Sequence, residues 1–255
     1  MPGVLSENPT TIITRKLLYK LFGINAELLI DHAWGWEPCT IADVKAYRPE
    51  NKSIVSGQVL QYPYVFDKAR LVVREMADSL ALDLVDKRLM TCQIVLTVGY
   101  DRENLDDTRR SQSYNGPVSI DQYGRKIPKH AVGTENFPYT SSANDLLNVV
   151  TTLYDRIVAP NLLIRRLSIS ANKLLDEANV PMKIETEQLD LFTDYAAKEQ
   201  QKQTDKVSHD RERKIQETML GIKKRYGKNA ILKGMNFEDG ATAIERNQTI
   251  GGHHE

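Results

Sequence analysis

The chain has 255 residues, of which 41% are hydrophobic and 27% charged, with 34 basic and 34 acidic side chains. This composition is ordinary for a soluble globular protein, and no apolar run is long enough to span a membrane. Two cysteines, in unrelated contexts and without a visible secretory signal, exclude a disulfide framework and favour the reducing cytoplasm. The zero net charge argues against a uniformly basic nucleic-acid-binding protein, so any such surface must concentrate its positive charge on one face.

The N-terminal part of the chain predicts short helices followed by a strand. Residues 14–33 carry apolar side chains at helical spacing, with Gly23 as a stop and Asn25 as the cap of a second helix. Residues 41–52 show no period and are predicted to be a connector. Residues 53–60 predict the first strand, closed by a Tyr-Pro pair.

A helix, a strand and a long loop are predicted next. Residues 65–85 repeat apolar side chains every three or four positions, which is typical of an amphipathic helix. Residues 90–100 alternate, which indicates a strand with one buried and one wet face. The wet face carries Thr91, Gln93 and Thr97. The polar residues 101–125 predict a loop.

The pattern then repeats with a strand, a helix and a strand. Residues 126–137 predict a strand, a helix follows that ends before Pro160, and residues 162–170 predict the last strand. The order strand–helix–strand–strand–helix–strand predicts an α+β fold, a four-stranded sheet with two helices on one face. The other face of the sheet is left for water or a ligand.

The C-terminal part is polar and less regular. Residues 194–210 are rich in Lys, Gln, Asp and Glu, and an apolar stripe returns over 215–226, so we expect a helix that ends near Gly227. The remaining tail shows no clear period.

Five segments, at 56–64, 74–84, 94–101, 121–134 and 164–170, resemble in order and spacing the little-finger domain of Y-family DNA polymerases of the ImpB/MucB/SamB type. Residues 20–37 resemble the end of that family's thumb, and residues 225–253 resemble the tail of a bacterial subgroup. The resemblance implies five parts of the chain. They are a thumb remnant (1–40), a linker (41–52), a DNA-binding little finger (53–180), a clamp-binding segment (181–193), and a polar helix and tail (194–255).

The resemblance also implies a chemistry that this chain is not expected to perform. Y-family polymerases add deoxynucleotides with Mg²⁺ held by a cluster of palm carboxylates. The acidic pairs Asp106-Asp107 and Glu238-Asp239 lie in polar segments and are predicted to be solvated surface. We therefore expect no catalytic residue, metal ligand or cofactor in this chain, and Mg²⁺ is implied for the parent polymerase. The odd first residues suggest a truncation or junction.

The final strand carries the predicted DNA contacts. Arg165 and Arg166 are neighbours, so we expect them to point to opposite faces, Arg166 with Ser168. The resemblance implies that this strand meets the template backbone, with Thr91, Gln93 and Thr97 on the same wet face and with Lys126 and Lys129 on a neighbouring strand. Phosphate contacts of this kind position DNA without reading its sequence. The alternative is that Arg166 is an ordinary exposed arginine and that Arg165 snorkels at the edge of the core.

Two further contacts are predicted outside that strand. The turn at Gly23 resembles a helix-hairpin-helix turn that presents backbone N–H groups to phosphate, the alternative being a plain helix-breaking glycine. The motif Gln188-Leu189-Asp190-Leu191-Phe192 resembles the peptide by which bacterial proteins bind the sliding clamp. Its three apolar side chains interrupt a polar segment, and their alternative role is to pack back on the domain.

The leading hypothesis is therefore a DNA-binding and clamp-tethering fragment of an error-prone lesion-bypass polymerase, acting in DNA repair without a membrane partner. One rival is a stand-alone regulatory protein that uses a little-finger fold to compete for the clamp or for DNA. A weaker rival is an enzyme with an active site in the 101–125 segment. The sequence leaves the oligomeric state open.

Overall fold

The computed structural model describes residues 15–47, 53–121, 124–180 and 195–249. The chain divides into two compact units, residues 1–50 and residues 51–255. Across the described ranges, none of the helices combines the length and apolar character needed to cross a membrane.

The first unit is helical. Its helices are α1 (Arg15–Phe22), α2 (Asn25–Ala33) and α3 (Ile41–Ala46). Gly23 adopts a φ of +57° between α1 and α2, a left-handed conformation that suits glycine, so the predicted helix break is confirmed. Asn25 was predicted to be a cap, which is wrong. It is the first residue of α2, and the glycine turn starts this helix without a side-chain cap.

Helix α3 lies in the segment that was predicted to be a connector. Thr40 caps it, since its hydroxyl accepts from the Asp43 amide at 3.2 Å while the Asp43 carboxylate accepts from the Thr40 amide at 2.9 Å. This reciprocal pair is a capping box with aspartate at its third position. The connector prediction overlooked that short-range signal.

The second unit contains a sheet, two long core helices and a helical C-terminal segment. Its strands are β1 (Ile54–Tyr64), β2 (Leu89–Tyr100), β3 (Val118–Ile120), β4 (Lys126–Pro128), β5 (Ala131–Thr140), β6 (Ile164–Asn172) and β7 (Leu175–Asp176). Its helices are α4 (Phe66–Asp86), α5 (Glu103–Asp106), α6 (Thr108–Ser113), α7 (Ala143–Ile157), α8 (Tyr195–Tyr226) and α9 (Ala243–Arg246), with 3₁₀ turns at Glu177–Asn179 and Gly234–Phe237.

The main sheet is antiparallel, with the strand order β1-β6-β2-β5. The α+β class is as predicted, but the sheet has five strands because the short β7 also pairs with the start of β2. Lys173, at a φ of +52°, lies in the turn between β6 and β7. A two-residue strand leaves no alternation to read, which is why the sequence did not predict it.

The hydrophobic core lies between one face of the sheet and helices α4 and α7. The sheet contributes Ile94, Leu96, Val98, Leu167 and Ile169, and the helices contribute Val72, Met76, Leu80, Leu146, Val150 and Leu153. The two helices also meet through Tyr154, whose hydroxyl donates to the Phe66 carbonyl at 2.9 Å, and through Arg70, whose guanidinium is 2.7 Å from the Asp155 carboxylate. The opposite face of the sheet stays open to solvent.

The segment between β2 and β5 differs most from the prediction. The predicted loop over 101–125 contains α5, α6 and β3, and the predicted strand over 126–137 is divided between β4 and β5. Strands β3 and β4 form a separate hairpin. Helices α5 and α6 and strands β3 and β4 span three to six residues each, too short for a period to show in the sequence.

The polar helix α8 docks on the start of α7. The Glu212 carboxylate accepts from the Ser142 hydroxyl at 2.7 Å and from the Asn144 amide at 2.9 Å, so it caps α7 from outside that helix. The Arg213 guanidinium bonds the Ser141 hydroxyl at 3.1 Å and the Glu177 carboxylate. As predicted, the helix stops before Gly227, which has a φ of +97°.

Gly133 sets how closely α7 approaches the sheet. A Cβ atom there would lie 2.8 Å from Leu153 Cδ1 and 2.9 Å from Ile157 Cγ2. We expect Gly133→Val to lower the free energy of unfolding by about 1–3 kcal/mol through overpacking. Urea denaturation followed by circular dichroism measures it. The control is Gly57→Val, since a Cβ at Gly57 meets nothing nearer than 3.9 Å. Equal effects of the two changes would contradict this role of Gly133.

Candidate nucleic-acid interface

Strand β6 places polar side chains along the middle of the open sheet face. Ser168 lies opposite Thr97 on one side and Gly57 on the other, and Arg166 lies opposite Gly99. Because paired residues share a face, Arg166, Ser168 and Thr97 lie together as predicted. Gln93 lies on the same face, opposite Asn172. Val55, Val95 and Val132 share this face through the same pairings, so its floor combines polar side chains with valines.

Alternation along the strand predicted that Arg165 and Arg166 point to opposite faces of the sheet. In the structure Arg165 does not point to the face opposite Arg166. The register of β2 with β6 shifts where Gly99 pairs with Arg166 and Tyr100 pairs with Ile164, so Arg165 is the extra residue of a β-bulge. As a result, Arg165 and Arg166 line the same cavity. The prediction of opposite faces is wrong because period-2 reasoning assumes a regular strand.

This cavity, of about 720 Å³, lies where the open sheet face meets α5 and the β3-β4 hairpin. Its basic side chains are Arg102, Arg125, His130, Arg165 and Arg166. Its acidic side chains are Asp101, Glu103, Asp106 and Asp121. Val59, Ile120 and Ile127 add an apolar wall. We call it the arginine cavity.

Most of the basic groups in the arginine cavity have an acidic neighbour. Arg125 pairs with Asp121 at 2.7 Å, whereas Arg102–Asp106 and Arg165–Asp101 are looser, at 3.6 and 3.8 Å. Arg166 is exposed, and the described part of the chain offers it no ion pair. Its guanidinium is therefore the group best placed to receive an anion from outside.

Two neighbouring residues shape this arrangement. A Cβ on Gly99 would lie 3.1 Å from Arg166 Cβ and 3.5 Å from His130 Nε2, so glycine makes room for both side chains. The adjacent Tyr100 hydroxyl accepts from the Ala159 amide at 3.0 Å. Burial raises the pKa of the Tyr100 phenol.

The far end of the open face carries a cluster of amides that the sequence reasoning missed. Gln93 Nε2 donates to Asn136 Oδ1 at 2.9 Å, and the Ser170 hydroxyl donates to Asn172 Oδ1 at 2.8 Å. Lys173 Nζ lies 3.4 Å from Asn136 Oδ1. The signal was present in the sequence, because Asn136 lies inside the predicted strand over 126–137 and the alternation of that strand places it on this face. Gln93 is therefore part of a hydrogen-bonded network of polar side chains.

Thr91 is not on the open face, and this correction has a clear cause. The register of β2 with β5 shifts between Thr91 and Gln93, so a second bulge turns Thr91 inward. Its side chain is fully buried, and its hydroxyl donates to the Asn172 carbonyl at 2.7 Å. Thr91 therefore supports the sheet and has no group left at the surface for phosphate.

The remaining candidates are two lysines, a glycine turn and the motif at 188–192. Lys126 is exposed in β4, and Lys129 follows it, so neither lies on a neighbouring strand of the main sheet as predicted. Gly23 belongs to the first unit, and its amide already donates to the Tyr19 carbonyl at 2.9 Å, so it presents no free N–H. The motif Gln188–Phe192 lies outside the described residues.

The acidic side chains were also tested as metal ligands. Among residues 15–47, 53–121, 124–180 and 195–249, no three His, Cys, Asp or Glu side chains converge in a way that could hold a metal ion. The residues described here therefore do not fit a two-metal centre, and no step through Mg²⁺ is derived from them.

The sequence was compared with known proteins, and residues 51–191 match the impB/mucB/samB family C-terminal domain. The match covers just over half of the chain. The chain belongs to the impB/mucB/samB family. The predicted resemblance is thereby confirmed, and the open sheet face and the arginine cavity are both parts of the impB/mucB/samB domain.

Relatives of the impB/mucB/samB domain were found among curated proteins and solved structures. The putative UV-damage repair protein UvrX of Bacillus subtilis is 23% identical over 241 residues, 93% of this chain and 47% of UvrX. A chimera of Y-family DNA polymerases based on Dbh aligns over 64% of this chain and 39% of its own, at 12% identity and a TM-score of 0.35. The insertion ternary complex of Dbh DNA polymerase aligns over 62% and 38%, at 11% identity and a TM-score of 0.32. The chain thus spans about half the length of the curated relative that it matches.

Asn104 anchors α5, one wall of the arginine cavity, to the impB/mucB/samB domain. It is fully buried, its Nδ2 donates to the carbonyls of Asp101 and Leu163 at 2.8 Å, and its Oδ1 accepts from the Leu163 amide at 2.8 Å. This one side chain therefore ties the end of β2 to the start of β6.

We expect Asn104→Ala to lower the free energy of unfolding by about 1–3 kcal/mol, because it leaves the buried Leu163 amide without a partner. Urea denaturation measures the loss, and hydrogen exchange at Leu163 locates it. The matched control is Glu103→Ala, which removes an exposed side chain from the same helix. An Asn104→Ala protein as stable as this control would contradict the anchoring role.

Proposed function

We propose that this chain binds the DNA backbone without sequence preference, as the DNA-binding C-terminal part of a lesion-bypass DNA polymerase. The observation that carries the proposal is the exposed Arg166 guanidinium, which stands beside Arg165 and on the same sheet face as Ser168 and Thr97. The family match supports the assignment of this face to DNA repair.

The chemistry of the face suits phosphate better than base edges. The hydroxyls of Ser168 and Thr97 can rotate toward a phosphate oxygen. Gly57 has no side chain and leaves room for the DNA backbone to approach the sheet. Contacts of this kind fix the position of a duplex but carry no sequence information. A polymerase that must accept damaged templates needs that tolerance.

The charge distribution is consistent with this proposal although the whole chain is neutral. The acids of the arginine cavity lie on its wall and hold three of the arginines, which leaves Arg166 turned outward. We expect affinity to depend on a few strong contacts and therefore to be modest. Nucleotide addition with Mg²⁺ is assigned, in this proposal, to the part of a longer polymerase that this chain does not match.

The first test measures binding against salt. With three to five phosphate contacts, log affinity for primer–template DNA should fall against log salt with a slope of about −3 to −4.5. We expect Arg165→Ala/Arg166→Ala to weaken binding for every sequence and to flatten the slope by about 2. Fluorescence anisotropy with labelled oligonucleotides measures both quantities.

The control removes the same charge from helix α8. Arg211 and Lys214 are exposed there, on the helical side of the domain, so Arg211→Ala/Lys214→Ala should bind as the wild type does. Binding that ignores salt, or an equal loss in the two double variants, would rule out the assigned face.

The proposal includes a second contact, between residues 188–192 and the bacterial sliding clamp. Leu189, Leu191 and Phe192 are apolar side chains in a polar stretch, and each contributes about 1.5–3 kcal/mol when it is buried in a partner. Ordering the segment offsets much of that gain, so we expect a weak and exchangeable complex. Gln188 would supply an amide at the rim of the clamp's pocket.

We expect Leu191→Ala/Phe192→Ala to remove most of the affinity for the clamp and to leave DNA binding unchanged, because the motif contributes none of the side chains that are proposed to contact DNA. Titration calorimetry with a purified clamp measures the first quantity, and the anisotropy assay measures the second. The control is Thr186→Ala, just outside the motif. If the double variant binds the clamp as tightly as this control does, the tethering role is wrong.

A further inference from the structure

The C-terminal segment 228–249, which follows the part of the chain matched by the family domain, packs along α4. Four polar side chains lie on one stripe of α4, of which Lys68, Glu75 and Asp78 contact this segment and Asp86 contacts the end of α8. The stripe is about 27 Å long at 1.5 Å per residue. An acidic stripe on a core helix is unusual, and this segment and the end of α8 supply its partners.

The contacts run antiparallel to α4. Lys224, near the end of α8, pairs with Asp86, Lys233 pairs with Asp78 at 2.5 Å, and Asp239 pairs with Lys68 at 2.8 Å. Basic and acidic groups therefore match in order along the whole helix. Ordered matching of this kind fixes the register of the segment.

Glu75 is the centre of this contact. Its carboxylate is only 2% exposed and accepts from Asn236 Nδ2 at 2.8 Å, from the amides of Thr242 and Ala243 at 2.8 and 3.2 Å, and from the Thr242 hydroxyl at 3.3 Å. A buried carboxylate needs such partners, and here the C-terminal segment provides all four of them.

The segment is also held together by hydrogen bonds between its own residues. Asn229 Nδ2 donates to the Ile244 carbonyl at 3.0 Å, and Asn247 Nδ2 donates to Asn229 Oδ1 at 2.7 Å. Its apolar anchors are few, with Met235 and Ala243 buried and Phe237 exposed. A unit held mainly by polar contacts can open without exposing the main core, because water replaces those contacts.

The segment reaches the open sheet face indirectly, through Gln58. The Thr242 hydroxyl and the Arg246 guanidinium lie 3.2 and 3.3 Å from Gln58 Oε1. Gln58 lies on the edge strand β1, and its neighbours Gly57 and Val59 face the open side, opposite Ser168 and Arg166. The segment therefore holds the outermost strand of the candidate interface from behind.

We propose that residues 228–249 are a clasp that docks on the acidic stripe of α4 and stiffens β1, so that its closing raises the affinity of the open sheet face for DNA. The coupling to DNA rests on the function proposed above. The docking of residues 228–249 on α4 does not depend on that function. None of the polar clasp contacts is on the open face, so the effect on DNA affinity is expected to pass through β1, which the segment contacts at Gln58.

The experiment exchanges the charges of one contact. Lys233→Asp places two carboxylates together and should open the clasp, which speeds hydrogen exchange at the amides of Thr242 and Ala243 by at least about tenfold. Affinity for primer–template DNA should fall at least about fivefold, the low end of measured couplings between sites. Lys233→Asp/Asp78→Lys should restore both quantities, and Lys214→Asp, on α8, should change neither.

The outcomes separate the two proposals. Unchanged exchange at Thr242 and Ala243 in Lys233→Asp would overturn the clasp. An opened clasp with unchanged DNA affinity would overturn the coupling and leave a structural contact. A wild-type protein that binds no DNA would overturn the proposed function, while exchange still reports on docking. Thermal unfolding of each variant checks the fold, and Lys233→Ala, which opposes no charges, serves if Lys233→Asp does not fold.

Discussion

The structure depends on the pairing of β6 with two strands at once. β6 lies between β1 and β2, so its inward side chains Leu167 and Ile169 hold the centre of the core while its outward side chains form the middle of the open face. The same hydrogen-bonded register therefore fixes both the packing of α4 and α7 and the row of polar groups on the other side. A shift of one residue would exchange the two sets.

The sequence predicted the parts of the fold whose period is long enough to read. Helix α4 and strand β2 were predicted almost to their ends, because apolar side chains recur over more than ten positions in each. It failed where a shift of register interrupts the alternation, as at Thr91 and Arg165. It also failed at short elements such as α5, whose position depends on the buried Asn104 and on contacts with the distant Leu163.

The candidate interface shows the same division. The face shared by Arg166, Ser168 and Thr97 follows from alternation alone, and that expectation was correct. The arginine cavity does not, since it is assembled from α5, the β3-β4 hairpin and the ends of β2 and β6, which are far apart in the chain. Some of the acids that balance the positive charge of the chain lie on the wall of that cavity and others on the stripe of α4.

The bulge at Arg165 has a consequence for comparing sequences within the family. Between the buried residues Ile164 and Leu167 the chain holds two arginines, and the extra residue turns both toward solvent. A relative with a single residue between these two core positions would keep the regular alternation, and only that one side chain would reach the open face. For this strand, the number of residues between its core positions says more about charge at the surface than the residue identities do.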